Sequence, residues 1–249
     1  MLRYHVTSPY VLYWRTVEVA VMTKLAAHHG IDLQRHVDLD VGCGNGVLGH
    51  ALIRDIGIGF DVYRAGVLWA RQHKPAYRTV LGASATAMPL ADASQRIVFS
   101  NSVIEHIPDD QAVFDEIARV LAPGGLLVMS TISDQFPRLT LGAGHTTSKR
   151  EALDRSYAHV HYYNTTMLRA IFVQRGLELL ESAAYINKRQ AQRNHSLRRW
   201  EQRQRRAGLW RRVNQLRRAP LGFALVAAMR PLIVPDGQGA GLAIVARKT

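Results

Sequence analysis

From Tyr10 to His29 the apolar residues Val11, Trp14, Val17, Val21 and Leu25 recur at helical spacing, and Gly30 closes the run. That periodicity predicts an opening helix. Beyond it the pattern changes to short apolar runs at His36 to Val41, Ile56 to Asp61, Tyr77 to Leu81, Arg96 to Ser100 and Leu126 to Thr131, with helix-compatible stretches between most of them. Strands joined in this way need right-handed crossovers, so the expected class is α/β, a largely parallel sheet with helices on both faces. One connecting helix is well marked. Asp109 and Asp110 offer acceptors to the free N–H groups at its start, and Pro123-Gly124-Gly125 follows its end near Leu121. After Ser133 the regularity weakens into an expected loop rich in Gly, Thr and His. A helix from Thr165 to Arg175 stopped by Gly176, a strand-like Leu177 to Ile186 and a last strand in Gly241 to Lys248 complete the pattern.

Length and composition add bounds. A chain of 249 residues is long enough for one well-buried core. The only cysteine, Cys43, excludes an internal disulfide framework and favours a reducing compartment. The first thirty residues hold no apolar run ending in a small-residue cleavage site, so a cytoplasmic protein is expected. The formal charge of +13 is concentrated: Lys188 to Arg218 contains twelve Lys or Arg against one acid, Glu201, a net of +11. The remainder is therefore near +2, and the basic signal belongs to one segment.

The stretch Asp38-Leu39-Asp40-Val41-Gly42-Cys43-Gly44-Asn45-Gly46-Val47-Leu48-Gly49 places a glycine loop between a strand and a helix. Side chains there would block a ligand from the backbone N–H groups. Gly44-x-Gly46-x-x-Gly49 fits a dinucleotide fingerprint. Asp40, two residues before Gly42, argues for a different ligand. A carboxylate at the strand end repels a pyrophosphate and suits the sulfonium and amino groups of S-adenosylmethionine. Asp61, which ends the next strand in Gly59-Phe60-Asp61, can accept both ribose hydroxyls of either cofactor.

Five segments in order and in register carry a resemblance: Asp40-x-Gly42-x-Gly44-x-Gly46, Gly59-Phe60-Asp61, Ala87 to Asp92, Asn101 to Pro108 and Glu116 to Gly125. The chain resembles class I S-adenosylmethionine-dependent methyltransferases, most closely the branch that includes small-molecule and quinone methyltransferases. The likeness covers Val37 to Ile186 and resumes at Gly241. It implies a Rossmann-like sheet of seven mostly parallel strands in the order 3-2-1-4-5-7-6, the last antiparallel. It also implies that Asp40, Gly42, Cys43, Gly44 and Gly46 line the methionine part of the cofactor, Asp61 holds the ribose and Val62 packs on the adenine. Ser84 and Ala85 would lie at the adenine edge, and Asn101, at the end of the fourth strand, would also bind the cofactor. Two departures stand out. Ser84 replaces the family's usual Asp toward the adenine amino group and should bond it more weakly, without charge assistance. Arg96 replaces the usual Asp at the start of the fourth strand.

Methyl transfer is an in-line displacement, so the protein's main task is positioning, with a base only where the acceptor must lose a proton. His106 is the first candidate base; shaping the loop is its alternative role. In His159-Val160-His161-Tyr162-Tyr163 an extended backbone would point His159 and His161 the same way, yet no third ligand has a motif-like spacing, so no metal is expected. His161 and Tyr163 are candidates for a wall facing substrate, against ordinary core burial. Tyr10 and Tyr13 either close over the cofactor or belong to the amphipathic core.

Residues 188–235 read as a basic amphipathic helical insertion in a methyltransferase domain formed by 1–187 and 236–249. Leu197, Trp200, Ala207, Trp210, Val213 and Leu216 fall near helical intervals among arginines, with Gly208 interrupting. Three occupants compete for this segment: an anionic membrane surface or lipid-linked substrate, RNA, and the protein's own fold or a second subunit. The expected activity is methyl transfer to oxygen of a small or lipid-linked acceptor. Its rivals are an RNA methyltransferase and a binding protein that kept the fold without the activity.

Overall fold

The computed structural model describes residues 8–208, 233–234 and 237–249. The first helix, α1 (Pro9–His28), has Pro9 in its first turn, where a missing N–H costs nothing. Its buried stripe is Trp14, Val17, Glu18, Val21, Met22 and Leu25, so one acid occupies a position the apolar periodicity reserves for the core.

The chain then alternates β1 (His36–Val41), α2 (Val47–Leu52), β2 (Asp55–Asp61), α3 (Arg64–His73), β3 (Tyr77–Gly82), β4 (Gln95–Asn101), α4 (Asp110–Val120) and β5 (Leu121–Ile132). α5 (Phe136–Leu141), α6 (Thr147–Tyr157) and α7 (Thr165–Val173) follow, then β6 (Leu177–Tyr185), α8 (Lys188–Arg206), β7 (Ile233–Val234) and β8 (Gly241–Lys248). The sheet order is β3-β2-β1-β4-β5-β8-β6-β7. Leaving aside the two-residue edge strand β7, the seven long strands lie in the expected order 3-2-1-4-5-7-6. β1 to β5 pair in parallel, and β8 runs antiparallel between β5 and β6. Side chains alternate across the sheet: Leu127 and Met129 of β5 enter one core cluster and Val128 the other.

α4 starts as its acids require, with Asp109 Oδ1 accepting from the Ala112 N–H at 3.1 Å. β5 begins earlier than its apolar run, because Leu121 pairs with Gln95 before an irregularity through Pro123-Gly124-Gly125 that resumes at Ile97 with Leu126. The expected loop after Ser133 is corrected. It contains α5 and α6, short helices whose sparse apolar residues give little periodicity, with Thr146 capping α6 through the Lys149 N–H.

The basic segment also differs from its expected form. α8 starts at Lys188, held by a capping box between Asn187 and Gln190. It buries Ala191, Asn194 and Glu201 against the body, a largely polar stripe, while Leu197 and Trp200 line a shallow outer depression with Arg189, Gln192, Arg193 and Ser196. Ala207 and Gly208 form a turn; Trp210, Val213 and Leu216 lie outside the described residues.

Candidate active site

The carboxyl ends of β1, β2 and β4 meet where the strand order reverses, the place at which open α/β sheets bind ligands. Gly42, Gly44 and Gly46 all take positive φ there. A Cβ on Gly42 would come within 2.4 Å of Val103 Cγ2, whereas one on Gly44 would meet nothing within 4 Å. Gly44 thus leaves open space above the turn that follows β1.

Asp61 ties this turn to β2. Its Oδ2 accepts from the Gly44 N–H at 2.8 Å and its Oδ1 from the Tyr63 N–H at 2.7 Å. A carboxylate has about four lone-pair sites, so two remain for a ligand's hydroxyls. Val62 beside it is 74% exposed, an apolar side chain left at the mouth of the sheet. Ser84 Oγ lies 2.8 Å from Thr86 Oγ1 and accepts from the Thr86 N–H, and Ala85 is buried in the core.

Asp40 lies beneath the loop. Its Oδ2 accepts from the Tyr77 hydroxyl at 2.5 Å. Burial raises its carboxyl to about 7; the Tyr77 bond opposes that shift and the charge of Asp61 adds to it. Burial also raises the Cys43 thiol, with Asp40 and Asp61 adding, which disfavours a thiolate nucleophile. Asn101 is engaged at both ends: Arg15 Nη1 donates to its Oδ1 at 2.8 Å, and its Nδ2 donates to Ser130 Oγ at 2.8 Å. The same network holds Glu18, which accepts from Arg15, Ser102 and Tyr185. Burial alone would raise the Glu18 carboxyl, but the Arg15 charge and these hydrogen bonds hold it below its ordinary value.

A cavity of about 170 Å³ is lined by α1, the turn after β4, and α8. His106 and Glu105 enter it from that turn, Phe136 and Tyr157 from α5 and α6, and Asn194 and Arg198 from α8. His106 Nδ1 lies 2.8 Å from the Ala158 carbonyl. A carbonyl only accepts, so Nδ1 carries the proton and Nε2 is left as the acceptor. Ala158 reaches this position with φ 57°, the left-handed turn that ends α6.

The histidine pair of the sequence separates. His159 turns inward onto the rings of His106, Phe136 and Tyr157, at centroid distances of 5.3, 5.2 and 5.4 Å. Burial, with His106 and Arg198 adding, lowers it to about 3, so its ring stays neutral. His161 instead donates from Nε2 to the Pro108 carbonyl at 2.9 Å, outside the cavity lining. Tyr163 is 1% exposed and donates to Asp110 Oδ2 at 2.7 Å; it fastens the loop to α4 and does not line the cavity. The segment is irregular, with one bridge from Tyr163 to Ser133, and so lacks the strict alternation of a strand. Tyr10 lines the cavity while Tyr13 is buried. Donor atoms of Glu105, His106 and His159 lie within 4.8 Å of one another, a grouping that spacing alone could not show. Glu105 Oε1 has no hydrogen-bond partner among the described residues. Arg15, Glu18 and Arg198 were also missed, although two charges at i and i+3 on the apolar face of α1 are a visible signal.

Residues 39–129 match the family model described as a methyltransferase domain. That stretch holds the glycine loop, Asp61 and His106, and the fold around it is that of the class I methyltransferases. Within curated proteins, the chain is 35% identical over 102 residues to a malonyl-[acyl-carrier protein] O-methyltransferase of Hahella chejuensis, covering 39% of this chain and 37% of that one. It is 34% identical over 106 residues to a ubiquinone biosynthesis O-methyltransferase of Psychrobacter arcticus, covering 38% and 40%. The chain thus spans about two fifths of the length of these relatives. Over 93% of its length it shares the fold of a protein from Galdieria sulphuraria named for sarcosine dimethylglycine methylation, with TM-score 0.64, 20% identity and 84% of that chain covered. The [4+2]-cyclase SpnF shares the fold too, with TM-score 0.60, 18% identity and coverage of 92% and 81%. S-Adenosylmethionine is the methyl donor of the class I methyltransferase family. The open face at Gly44, the free lone pairs of Asp61 and the exposed Val62 fit that molecule's amino acid, ribose and adenine parts.

Proposed function

We propose that this chain transfers a methyl group to an oxygen of a small or lipid-linked acceptor held in the cavity between α1, the turn after β4, and α8. The observation that carries the reading is His106, which lines this cavity while its Nδ1 is engaged by the Ala158 carbonyl, leaving Nε2 for a ligand. Bound S-adenosylmethionine supplies an electrophilic methyl. The chain's own residues do the rest. Gly42, Gly44 and Gly46 admit the amino acid part, Asp61 fixes the ribose, and Val62 covers the adenine. Trp14, Phe136 and Tyr157 exclude water from the acceptor. His106 Nε2 takes the hydroxyl proton while the Ala158 carbonyl holds the imidazole in place. The printed names of both curated relatives, each an O-methyltransferase, support oxygen as the acceptor atom.

The deciding experiment offers methyl-labelled S-adenosylmethionine and the protein to fractionated cell extract and identifies the labelled product. A labelled ether or ester of a small or lipid-linked compound supports the reading. Labelled RNA, or donor binding with no transfer, overturns it.

For the outer face of α8, the proposed contact is an anionic membrane surface. Arg189, Arg193, Arg199, Arg203 and Arg206 are exposed along it. Leu197 and Trp200 lie among them, the mixture that favours a headgroup interface. No helix among the described residues is long and apolar enough to cross a membrane, so this contact is peripheral.

A further inference from the structure

The cavity assigned above to the acceptor holds a surplus positive charge. Two arginines line it. Arg15 is neutralised, since Nη1 donates to Glu18 Oε2 at 2.5 Å. Arg198 is not. Its Nη1 donates to the Tyr10 hydroxyl at 2.6 Å, its Nε to Ser156 Oγ at 3.2 Å, and its Nη2 to the Ser156 carbonyl. The rings of Tyr10 and Tyr157 lie 4.9 and 4.0 Å from its guanidinium carbon. Among the described residues no carboxylate pairs with it. A guanidinium carries five N–H donors, and these contacts use three.

The rest of the lining does not cancel the charge. Among the described residues Glu105 is its only carboxyl, and burial raises that group toward its uncharged form. His159 is neutral for the reason given above. Position also separates Arg198 from the other arginines of α8. It belongs to the inward stripe Ala191, Asn194, Arg198, Glu201, whereas Arg189, Arg193, Arg199, Arg203 and Arg206 face outward.

We propose that the acceptor carries an anionic group, a carboxylate or phosphate, which pairs with Arg198 and so sets which end of the molecule meets His106. The planar fork of an arginine matches the two oxygens of such a group and leaves a neutral amide of the same shape poorly satisfied. Arg198 is then a specificity residue contributed by α8, and its role rests on the reading of this cavity as the acceptor site.

The test uses benzoate, phenyl phosphate and benzamide as probes on the full chain saturated with S-adenosylhomocysteine, with dissociation constants read by ligand-observed NMR. At least one anionic probe should bind about tenfold or more tightly than benzamide, the scale of a charge-assisted pair. The stronger of the two anions identifies the group. In Arg198→Gln that preference should fall below about threefold while benzamide binding is kept. Arg198→Lys preserves the cation without the fork and should keep part of the preference, which covers the case in which Arg198→Gln folds poorly. Arg193→Gln, on the outer face, should keep all of it. Equal binding of the three probes, binding of none at millimolar concentration, or a preference unchanged in both Arg198 variants overturns the proposal. Loss of the preference in Arg193→Gln also overturns it, by showing a diffuse surface effect. Calorimetry with S-adenosylhomocysteine on the same wild-type samples tests the donor site separately, so failure there is told apart from failure of the anion pairing.

Discussion

The Tyr77 hydroxyl donates to Asp40 Oδ2 at 2.5 Å beneath the glycine loop, and the glycines around it make room for that ring. A Cβ on Gly49 would meet the Tyr77 oxygen at 2.1 Å, and one on Gly59 would meet its Cε1 at 2.5 Å. Tyr77→Phe leaves a buried carboxyl without its partner and should cost about 1 to 3 kcal/mol in urea unfolding at neutral pH. A cost near zero would show that Asp40 finds another donor.

Asp40 also predicts a pH dependence. Its folded value of about 7 lies above the roughly 3.9 of an unfolded aspartate, so the folded chain holds an extra proton between those limits. Wild type should therefore lose stability relative to Asp40→Asn as pH rises through that window, by up to ~1.4 kcal/mol per unit, and the difference should level off above it. Glu18 has the opposite sign: its lowered carboxyl gives stability that is present above the unfolded value and lost as pH falls through the folded one. Urea midpoints of wild type, Asp40→Asn and Glu18→Gln across the acid range separate the two groups. A wild-type to Asp40→Asn difference that does not move with pH would show Asp40 ionised throughout.

Asp61→Ala removes the carboxylate that ties Gly44 to Tyr63 and that is proposed to hold the ribose. Calorimetry with S-adenosylhomocysteine should show binding weakened by about 1.5 to 3 kcal/mol. Asp61→Asn keeps an oxygen acceptor and should fall between the two. Unchanged affinity in the alanine variant would place the ribose elsewhere.

Once an acceptor is in hand, His106→Ala should lower kcat about 100- to 10,000-fold with donor affinity kept. Single-turnover rates and calorimetry with S-adenosylhomocysteine measure the two. A loss under about tenfold would leave His106 a structural part of the turn.

Sedimentation with anionic and neutral vesicles, and with RNA at one ionic strength, tests the outer face of α8. Binding should favour anionic vesicles, fall with salt, and weaken in a variant with Arg193, Arg199 and Arg203 changed to Gln. A strong preference for RNA would assign the face to nucleic acid.

Much of this architecture was legible because local rules and tertiary structure agree. The run from His36 to Val41 is β1 to the residue, and Asp109 caps α4 through the Ala112 N–H as its position before the helix requires. The glycine loop and Asp61 could be read because their backbone demands are carried by residue type. The meeting of His159 with Arg198 could not, since it arises only when α6 and α8 come together. Sequence spacing set His159 beside His161 on an assumption of extended backbone, and the irregular chain between Ala158 and Tyr163 turned one ring inward and the other toward Pro108.

The roof of the proposed acceptor cavity joins segments that lie far apart in the chain. Asn194 and Arg198 bond to the carbonyl and hydroxyl of Tyr10, and Ser8 bonds to Glu201, across more than 180 intervening positions. The matched methyltransferase segment, residues 39–129, supplies the glycine loop, Asp61 and His106 but contributes nothing to that roof. Under the proposed function, donor handling and acceptor choice lie in separable stretches of the gene. On the proposed reading of this cavity, substitutions in the first helix and in α8 would redirect the chain to a new acceptor while the segment proposed to deliver the methyl group stays as it is.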